Sequence, residues 1–342
     1  MPRGRVRQSR LWAALTALAV ALLASTFSAP AAVVKIKRIS VTVSDLARTE
    51  RFYREALGFE RVLRRREDDP SFAHLFGVER ASFERLIMRV GTEEVEFIEF
   101  DKLRRGYPAD SHSQDLWFQH FAIIVGDMGK AFSQLQRVPF TSISVGGPQT
   151  LPPQNGSVAA FKFRDPDGHP LELLYFPAGQ GRAIWHRQPG DRIFLGIDHS
   201  AIGISDTPAS VAFYADILGM TQSYATINRG PTQEALDGTF NAVVQITGLR
   251  PAASGGPGIE LLDYRTPPTG RSAPVDTASN DLAHVHLSLQ VDALERHVQS
   301  LEDHRARFVS PGIVKLKNGD ATAMVRDPDG HALLLEQSVG NE

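Results

Sequence analysis

The architecture of this chain follows from the stretch RDPDGHPLELL, Arg164–Leu174, whose first six residues recur as RDPDGH at Arg326–His331. In Asp-Pro-Asp-Gly, proline in the second position and glycine in the fourth are typical of a type I turn. Each copy therefore predicts two strands joined by a tight reversal, in which the histidine has a structural role. The copies differ beyond the turn, where Leu334 replaces Glu172.

A second repeat lies earlier in each half. SDLARTERFYREALGF, Ser44–Phe59, aligns without a gap to SDTPASVAFYADILGM, Ser205–Met220, at nearly the same offset as the RDPDGH copies. Two separate repeats at one offset indicate that the halves are structural duplicates. We predict a first domain over 33–178 and a second over 195–338, joined by the Gly- and Pro-containing linker 179–194.

Each half contains the same order of elements twice. An alternating strand leads into a capped helix, and alternating or apolar runs typical of further strands follow. The pattern predicts an α+β fold of four βαβββ modules, numbered one to four in chain order. Their first strands are KRISVTV, QHFAIIV, DHSAIGIS and HVHLSLQV.

The N-terminus predicts export. Several arginines precede the apolar run LWAALTALAVALL, Leu11–Leu23, and the small residues Ala29-Pro30-Ala31 follow. This order is typical of a secretory signal, which we assign to residues 1–32. The apolar run is shorter than the roughly 20 residues of a membrane span. We therefore expect cleavage, no stable membrane insertion afterwards, and a periplasmic or extracellular protein.

Composition narrows the chemistry and the partners. The chain has no cysteine, which excludes disulfides, thiolate metal sites and cysteine nucleophiles. Its formal net charge is −2, and removal of the arginine-rich leader makes it more negative. Because no basic stripe remains, nucleic acid is not an expected partner. We expect a small-molecule substrate or ligand, and a monomer or homodimer.

The first strands carry polar residues on the face opposite the apolar residues that pack under a helix. His120 and His199 occupy that face in modules two and three. In module four both His284 and His286 lie on it, and the sequence leaves the choice between them open. Module one has Arg38 at the position that matches His199.

The last strands carry acids among apolar residues. Glu96, Glu172 and Glu260 occupy this position in modules one to three, and Leu334 occupies it in module four. A carboxylate buried in such a strand is costly unless it is paired with an arginine or bound to a cation. Imidazole and carboxylate ligands suit Zn²⁺, Fe²⁺, Mn²⁺, Ni²⁺ or Co²⁺. The recurrence of both residue types predicts one divalent metal ion of unspecified identity.

These motifs resemble those of the vicinal oxygen chelate superfamily, which includes glyoxalase I, extradiol dioxygenases and drug-resistance proteins. The resemblance rests on FYREALGF, DHSAIGISDTPASVAFYADILGM and the two RDPDGH turns. It implies modules paired into two cupped mixed sheets around one metal ion. It also implies that a histidine from the first strand and a glutamate from the last strand of each contributing module bind that ion.

The ligand set implied by the resemblance depends on how the modules pair. Pairing within halves implies three ligands in the C-terminal half: His199, Glu260 and either His284 or His286. Pairing across halves implies four ligands: His120, Glu172, His199 and Glu260. In either case the resemblance implies that His199 and Glu260 are ligands. Glu260 and Glu172 are the candidates for a catalytic carboxylate.

Three functions are compatible with this resemblance. The first is a metal-dependent lyase or isomerase of glyoxalase type that acts on vicinal oxygens, although the export signal argues against glyoxalase I with its cytoplasmic thiol. The second is an Fe(II) extradiol-type dioxygenase, against which Leu334 counts because the family's carboxylate comes from the last strand of the final module; Glu336 follows two residues later. The third is a small-molecule-binding protein without turnover.

Overall fold

The computed structural model describes residues 31–187, 191–268 and 270–337. The predicted export signal, residues 1–32, lies outside the described residues except for its last two positions. Its cleavage therefore stays a prediction, which the N-terminal mass of the secreted chain would test. Within the described ranges, no helix has both the length and the hydropathy needed to cross a membrane.

Modules one and two begin with the predicted strand and helix. Module one contains β1 (Val33–Thr42), α1 (Leu46–Leu57), β2 (Glu60–Glu67), α2 (Ser71–Phe76), β3 (Phe83–Val90) and β4 (Glu93–Phe100). Module two contains β5 (Gln119–Val125), α3 (Met128–Leu135), β6 (Thr141–Ser142), β7 (Gln149–Thr150), a 3₁₀ turn (Pro153–Asn155), β8 (Ala159–Arg164) and β9 (Pro170–Tyr175). A 3₁₀ turn (Ala183–His186) follows within the predicted linker.

Modules three and four repeat this order. Module three contains β10 (Phe194–Ile204), α4 (Thr207–Val211) with a π-helical continuation (Ala212–Ile217), β11 (Thr221–Arg229), α5 (Pro231–Asp237), β12 (Val243–Arg250) and β13 (Gly258–Thr266). Module four contains β14 (Val285–Val291), α6 (Leu294–Asp303), β15 (Arg307–Phe308), β16 (Val314–Lys315), β17 (Ala321–Arg326) and β18 (Ala332–Gln337).

The modules pair across the halves. One nine-stranded sheet has the order β15-β17-β18-β14-β1-β4-β3-β2, with β16 beside β17, and joins modules four and one. The other nine-stranded sheet has the order β11-β12-β13-β10-β5-β9-β8-β6, with β7 beside β8, and joins modules three and two. Both sheets are mixed, because the first strands of paired modules run antiparallel while each first strand runs parallel to the last strand of its own module. The predicted fold class is confirmed, and the alternative of pairing within halves is wrong.

One core collects the apolar faces of all four modules. Alternate residues of the first strands enter it, including Ile39, Phe121, Ile202 and Leu287, together with the apolar sides of the helices. Because strand side chains alternate between faces, the residues between them point to the opposite side of each sheet. The histidines and glutamates singled out in the sequence lie on that opposite side.

The repeated RDPDGH turn holds the two modules of one half together. Asp167 accepts hydrogen bonds from the backbone nitrogen of Ser44 at 2.9 Å and from its hydroxyl at 2.6 Å. Asp329 accepts the same two bonds from Ser205 at 3.0 and 2.6 Å. The Ser-Asp motif of one module thus binds the turn of the next module. This interaction explains why both motifs recur together.

The turn histidines are buried, and each donates a hydrogen bond to a backbone oxygen outside its own module. Nε2 of His169 donates to the backbone oxygen of Leu282 at 2.7 Å, and Nε2 of His331 donates to that of Gly203 at 2.8 Å. A carbonyl oxygen can only accept, so each Nε2 carries the proton. These bonds give both histidines the structural role that the sequence predicts.

Removing one aspartate of these contacts tests their contribution. Asp167→Ala leaves the Ser44 donors without their partner, and we expect it to lower the free energy of unfolding by about 1–3 kcal/mol. Asp68→Ala is the control, because this side chain is 92% exposed and its one ion pair among residues 31–187, 191–268 and 270–337 is that of 3.4 Å with Lys317. We expect the control to change stability by less than about 0.5 kcal/mol. Equal urea midpoints for both variants would contradict the assignment.

Candidate metal centre

A cavity of about 480 Å³ opens on the sheet of modules two and three, and we call it the 2–3 cavity. Four neighbouring strands, β5, β9, β10 and β13, contribute histidine and glutamate side chains to its wall. We call these four side chains the 2–3 set: His120, Glu172, His199 and Glu260. They are the residues implied by pairing across halves.

Strand register explains why these side chains meet. Two neighbouring rows of residues cross the sheet, and each row has a small alanine between or beside the polar residues. One row contains His120, Ala201 and Glu260, and the next contains Glu172, Ala122 and His199. The alanines leave room above the sheet, so the longer imidazole and carboxylate groups converge there.

The donor atoms of the 2–3 set lie close together. Nε2 of His120 is 3.4 Å from Oε2 of Glu172, and Nε2 of His199 is 3.8 Å from the same oxygen. Nε2 of His199 is also 3.3 Å from Oε2 of Glu260. Ligands bound at about 2.0–2.2 Å to one ion lie roughly 3–3.6 Å from one another, so this spacing suits a shared cation.

The imidazoles of the set are buried without the hydrogen bonds that burial normally requires. His120 is 2% exposed and His199 is 3% exposed. Both ring nitrogens of His120 and Nε2 of His199 find no hydrogen-bond partner among the described residues. Unpartnered buried polar atoms are costly, and a bound metal ion would satisfy them. His120, Glu172 and His199 together have the arrangement of a possible metal site, so these residues fit such an ion.

The carboxylate of Asp198 contacts the ring of His199 on the side away from the other members of the 2–3 set. The sequence did not predict this contact. Nδ1 of His199 lies 3.3 Å from Oδ2 of Asp198, which leaves Nε2 directed at the 2–3 set. Adjacent strand residues normally face opposite sides, so alternation predicts that Asp198 points away. A β-bulge between Ile197 and His199 breaks the alternation and admits Asp198 to the same cavity.

Without a metal ion, burial and neighbouring charges determine the protonation of the 2–3 set. Burial opposes ionisation of Glu172, but its close contact with His120 and the charges of Lys162 and His199 prevail and lower the pKa of Glu172 to about 2. Burial lowers the pKa of His120. Burial also disfavours the charged form of His199, but Glu260, Asp198 and Glu172 outweigh it and raise its pKa to about 9. Near neutral pH, His199 therefore carries a proton that a metal ion must displace.

Tyr224 positions Glu260. Its hydroxyl donates to Oε1 of Glu260, leaving Oε2 toward His199. The ring passes so close over β12 that a Cβ on Gly248 would lie 2.2 Å from it. A glycine inside a strand often marks such a close approach, so Gly248 was the available sequence signal.

A buried ion pair closes another wall of the cavity. Nζ of Lys162 lies 2.7 Å from Oδ1 of Asp237. The other carboxylate oxygen of Asp237, Oδ2, accepts hydrogen bonds from Gln233 and Tyr264. Burial alone would lower the pKa of Lys162, but the charge of Asp237 raises it. Lys162 thus remains a fixed cation beside Glu172. A lysine within the apolar strand β8 was the signal for this pair.

His284 and His286 do not join the 2–3 set, which corrects the within-half alternative of His199 and Glu260 with one of them. Both belong to module four, whose sheet partner is module one, and Nε2 of His284 lies 3.1 Å from Nδ1 of His286. The register places His286 opposite Ser40, as His120 is placed opposite Ala201. His286 therefore matches His120, and the sequence could not decide this because both histidines share one face.

Comparisons with known proteins support the fold described above. The model of the glyoxalase/bleomycin resistance protein/dioxygenase superfamily matches residues 35–173 and again 196–335. Glyoxalase I from Zea mays superimposes with a TM-score of 0.60 at 16% identity, covering 89% of this chain and 92% of that one. A Bacillus subtilis protein described as a proposed dioxygenase gives 0.55 at 16% identity, with 90% and 86% covered.

At this level of identity the solved structures show the fold alone. A comparison with curated proteins gave no significant match. The family model, in contrast, covers most of both halves and matches the duplication that the repeats indicate. The chain therefore belongs to the glyoxalase/bleomycin resistance protein/dioxygenase superfamily.

Proposed function

We propose that this protein is a divalent-metal-dependent enzyme of glyoxalase-like lyase or isomerase type, acting on a small substrate with vicinal oxygens. The observation that carries the proposal is the convergence of two histidines and two glutamates in the 2–3 cavity. The cavity volume of about 480 Å³ is in the range of small-molecule sites. We place the protein in the periplasmic or extracellular compartment that residues 1–32 predict.

His120, Glu172 and His199 of the 2–3 set would hold the ion, with Glu260 beside it, and the ion when bound would act as a Lewis acid toward the two substrate oxygens. Asp198 orients His199, and the short contact with Tyr224 orients Glu260. Lys162 keeps positive charge beside Glu172. These contacts fix the geometry of the set before the substrate arrives, which is the arrangement that proton transfer between positioned groups requires.

Glu260 is the better candidate for moving a proton. Its side chain is 16% exposed, whereas that of Glu172 is 7% exposed and lies near both histidines. A carboxylate at the open side of the cavity can reach a substrate carbon. The Tyr224 hydroxyl can keep a hydrogen bond to Glu260 as the charge of this glutamate changes. We assign Glu172 to holding the metal and Glu260 to proton transfer.

A second candidate is an Fe(II) extradiol-type dioxygenase. His120, Glu172 and His199 by themselves form a group of two imidazoles and one carboxylate, which is the ligand composition of many non-haem iron oxygenases. The objection raised by Leu334 does not apply to this group, because Glu172 supplies the carboxylate from the last strand of module two. The two candidates differ in whether Glu260 is needed.

Metal content tests the site directly. Elemental analysis of the protein purified without chelator should give about one divalent ion per chain, lost in His199→Ala and in His120→Ala because each removes one ligand. His286→Ala, at the matched position of the other sheet, should keep the ion. If metal is retained in both ligand variants, the assigned site is wrong. If no sample binds Zn²⁺, Fe²⁺, Mn²⁺, Ni²⁺ or Co²⁺, both enzyme candidates fail and a binding protein remains.

Metal affinity should depend on pH through His199. Its pKa is raised to about 9, so below that pH the metal-free protein holds a proton that must leave when the ion binds. The apparent affinity should therefore rise about tenfold per pH unit toward pH 9 and level off above it. Calorimetric titration in buffers of different ionisation enthalpy should detect about one proton released at neutral pH. An affinity independent of pH between 7 and 9 would contradict this.

Glu260→Gln separates the two enzyme candidates. For a lyase or isomerase, we expect the variant to keep metal yet exchange the α-proton of hydroxyacetone in D₂O at least about 10²-fold more slowly than the metal-loaded wild type. For a dioxygenase, iron-loaded variant and wild type should consume O₂ with catechol at similar rates. Proton exchange by NMR and oxygen uptake are the two readouts. Proton exchange unaffected by the substitution would exclude the role assigned to Glu260.

A further inference from the structure

A second cavity, of about 320 Å³, opens on the sheet of modules one and four, and we call it the 1–4 cavity. The strand register matches its walls to those of the 2–3 cavity, position by position. The four positions of the 2–3 set carry a different group here: Arg38 for His199, Glu96 for Glu260, His286 for His120, and Leu334 for Glu172. Arginine and leucine offer no metal ligand, so these positions do not form a second metal set.

Glu96, the carboxylate among these four positions, is neutralised by side chains of the protein. Arg85 of β3 occupies the position of Ile246 in β12, and its Nη2 lies 2.9 Å from Oε1 of Glu96. Ser40 donates to Oε2 of Glu96 at 2.7 Å. Burial opposes ionisation of Glu96, yet the charges of Arg85 and Arg38 lower its pKa to about 2. A guanidinium thus takes the role that a cation would have in the 2–3 cavity.

Arg38 is left without a hydrogen-bonded acid. It makes no hydrogen bond among the described residues that line or border the cavity, and its contact with Glu94 is 3.7 Å long. Four nearby carboxylates have another cation closer to them: Arg89 for Glu94 at 2.8 Å, Arg65 for Glu67 at 2.6 Å, Lys37 for Glu336 at 3.1 Å, and Arg85 for Glu96. Of the other acids that line the cavity, Asp68 pairs with Lys317 at 3.4 Å, and Asp69 and Asp320 accept hydrogen bonds from the backbone nitrogen of Lys317 and from Nδ2 of Asn318. One guanidinium charge, 16% exposed, therefore remains available in the cavity.

Other donors in the cavity are also unused. Nε of Arg38 and Nε2 of His286 are buried and find no hydrogen-bond partner among the described residues, whereas Nε of Arg85 lies 3.2 Å from Oε1 of Glu67. His286 is 1% exposed, and its Nε2 can carry a proton when Nδ1 accepts from His284. Two acceptors, Oε1 of Glu96 and Oε1 of Glu336, are likewise unpartnered, but each belongs to a carboxylate that already contacts a cation.

One part of the wall is apolar, although charged and polar side chains line most of the cavity. Four large side chains form the apolar part: Phe72, Leu75, Phe76 and Leu334. They belong to one cluster of buried apolar residues that is distinct from the main core. A ligand that fits both parts of the wall has an anionic end and an apolar body.

We propose that the 1–4 cavity is a metal-independent binding site for a small organic carboxylate with an apolar or aromatic body. The carboxylate contacts the guanidinium of Arg38 and Nε2 of His286, and the body lies against Phe72 and Phe76. A guanidinium matches a carboxylate in both charge and planar geometry. This site does not rest on the function proposed for the 2–3 cavity.

Benzoate and benzamide test the proposal, because they share shape and differ in charge. Calorimetric titration of the full chain should show benzoate binding at least tenfold more tightly than benzamide. His199→Ala, which disables the 2–3 set, should leave benzoate affinity unchanged. Equal affinities for the two probes, or no binding of benzoate at millimolar concentration, would overturn the proposal. Loss of binding in His199→Ala would place the ligand in the 2–3 cavity and overturn it as well.

Two variants alter the 1–4 cavity by independent routes. Arg38→Met removes the available guanidinium and should weaken benzoate binding at least tenfold while leaving benzamide binding unchanged. Leu334→Glu places a carboxylate where Glu172 lies in the matched strand, and it should abolish benzoate binding by repulsion. Either variant suffices if the other fails to fold, and the comparison of probes on the wild type needs neither. Unchanged benzoate affinity in a folded variant would refute the assigned contacts.

Discussion

The antiparallel pairing of first strands across the halves is the constraint on which both cavities depend. β1 pairs with β14 and β5 pairs with β10, so neither half of the chain can complete a sheet alone. Each of these pairings places polar residues of one half in the same rows as residues of the other half. The 2–3 set exists only because β5 and β10 are neighbours, since two of its four members come from each half.

A second interaction connects modules in the other direction. The Ser-Asp motif of modules one and three binds the RDPDGH turn of modules two and four through Asp167 and Asp329. Sheets thus join modules across halves, while the turns join modules within halves. Together the two interactions link all four modules into a closed arrangement. The duplication therefore repeats the Ser-Asp motif and the RDPDGH turn, which connect two modules, as well as the modules themselves.

The two cavities show how one scaffold can support different electrostatics. In the 2–3 cavity, Glu172 and Glu260 face histidines with unpartnered nitrogens, an arrangement suited to an added cation. In the 1–4 cavity, Arg85 neutralises Glu96 and Arg38 replaces a histidine, so the cations at these positions belong to the protein itself. Because a buried charge must be compensated locally, a few substitutions at matched positions change what each cavity can bind.

The sequence by itself determined the elements that depend on neighbouring residues along the chain. Turn chemistry, helix caps and strand alternation gave four modules, a core face and an opposite face bearing His120, His199 and the glutamates. It could not choose how modules pair, because β1 alternates in a way compatible with either β5 or β14. Tertiary structure made that choice, and with it the selection of His286 over His284. It also placed Asp198, Tyr224 and Arg85. A β-bulge admits Asp198 to the 2–3 cavity, the ring of Tyr224 lies over Gly248, and Arg85 reaches Glu96 from the neighbouring strand. Local periodicity encodes none of these contacts.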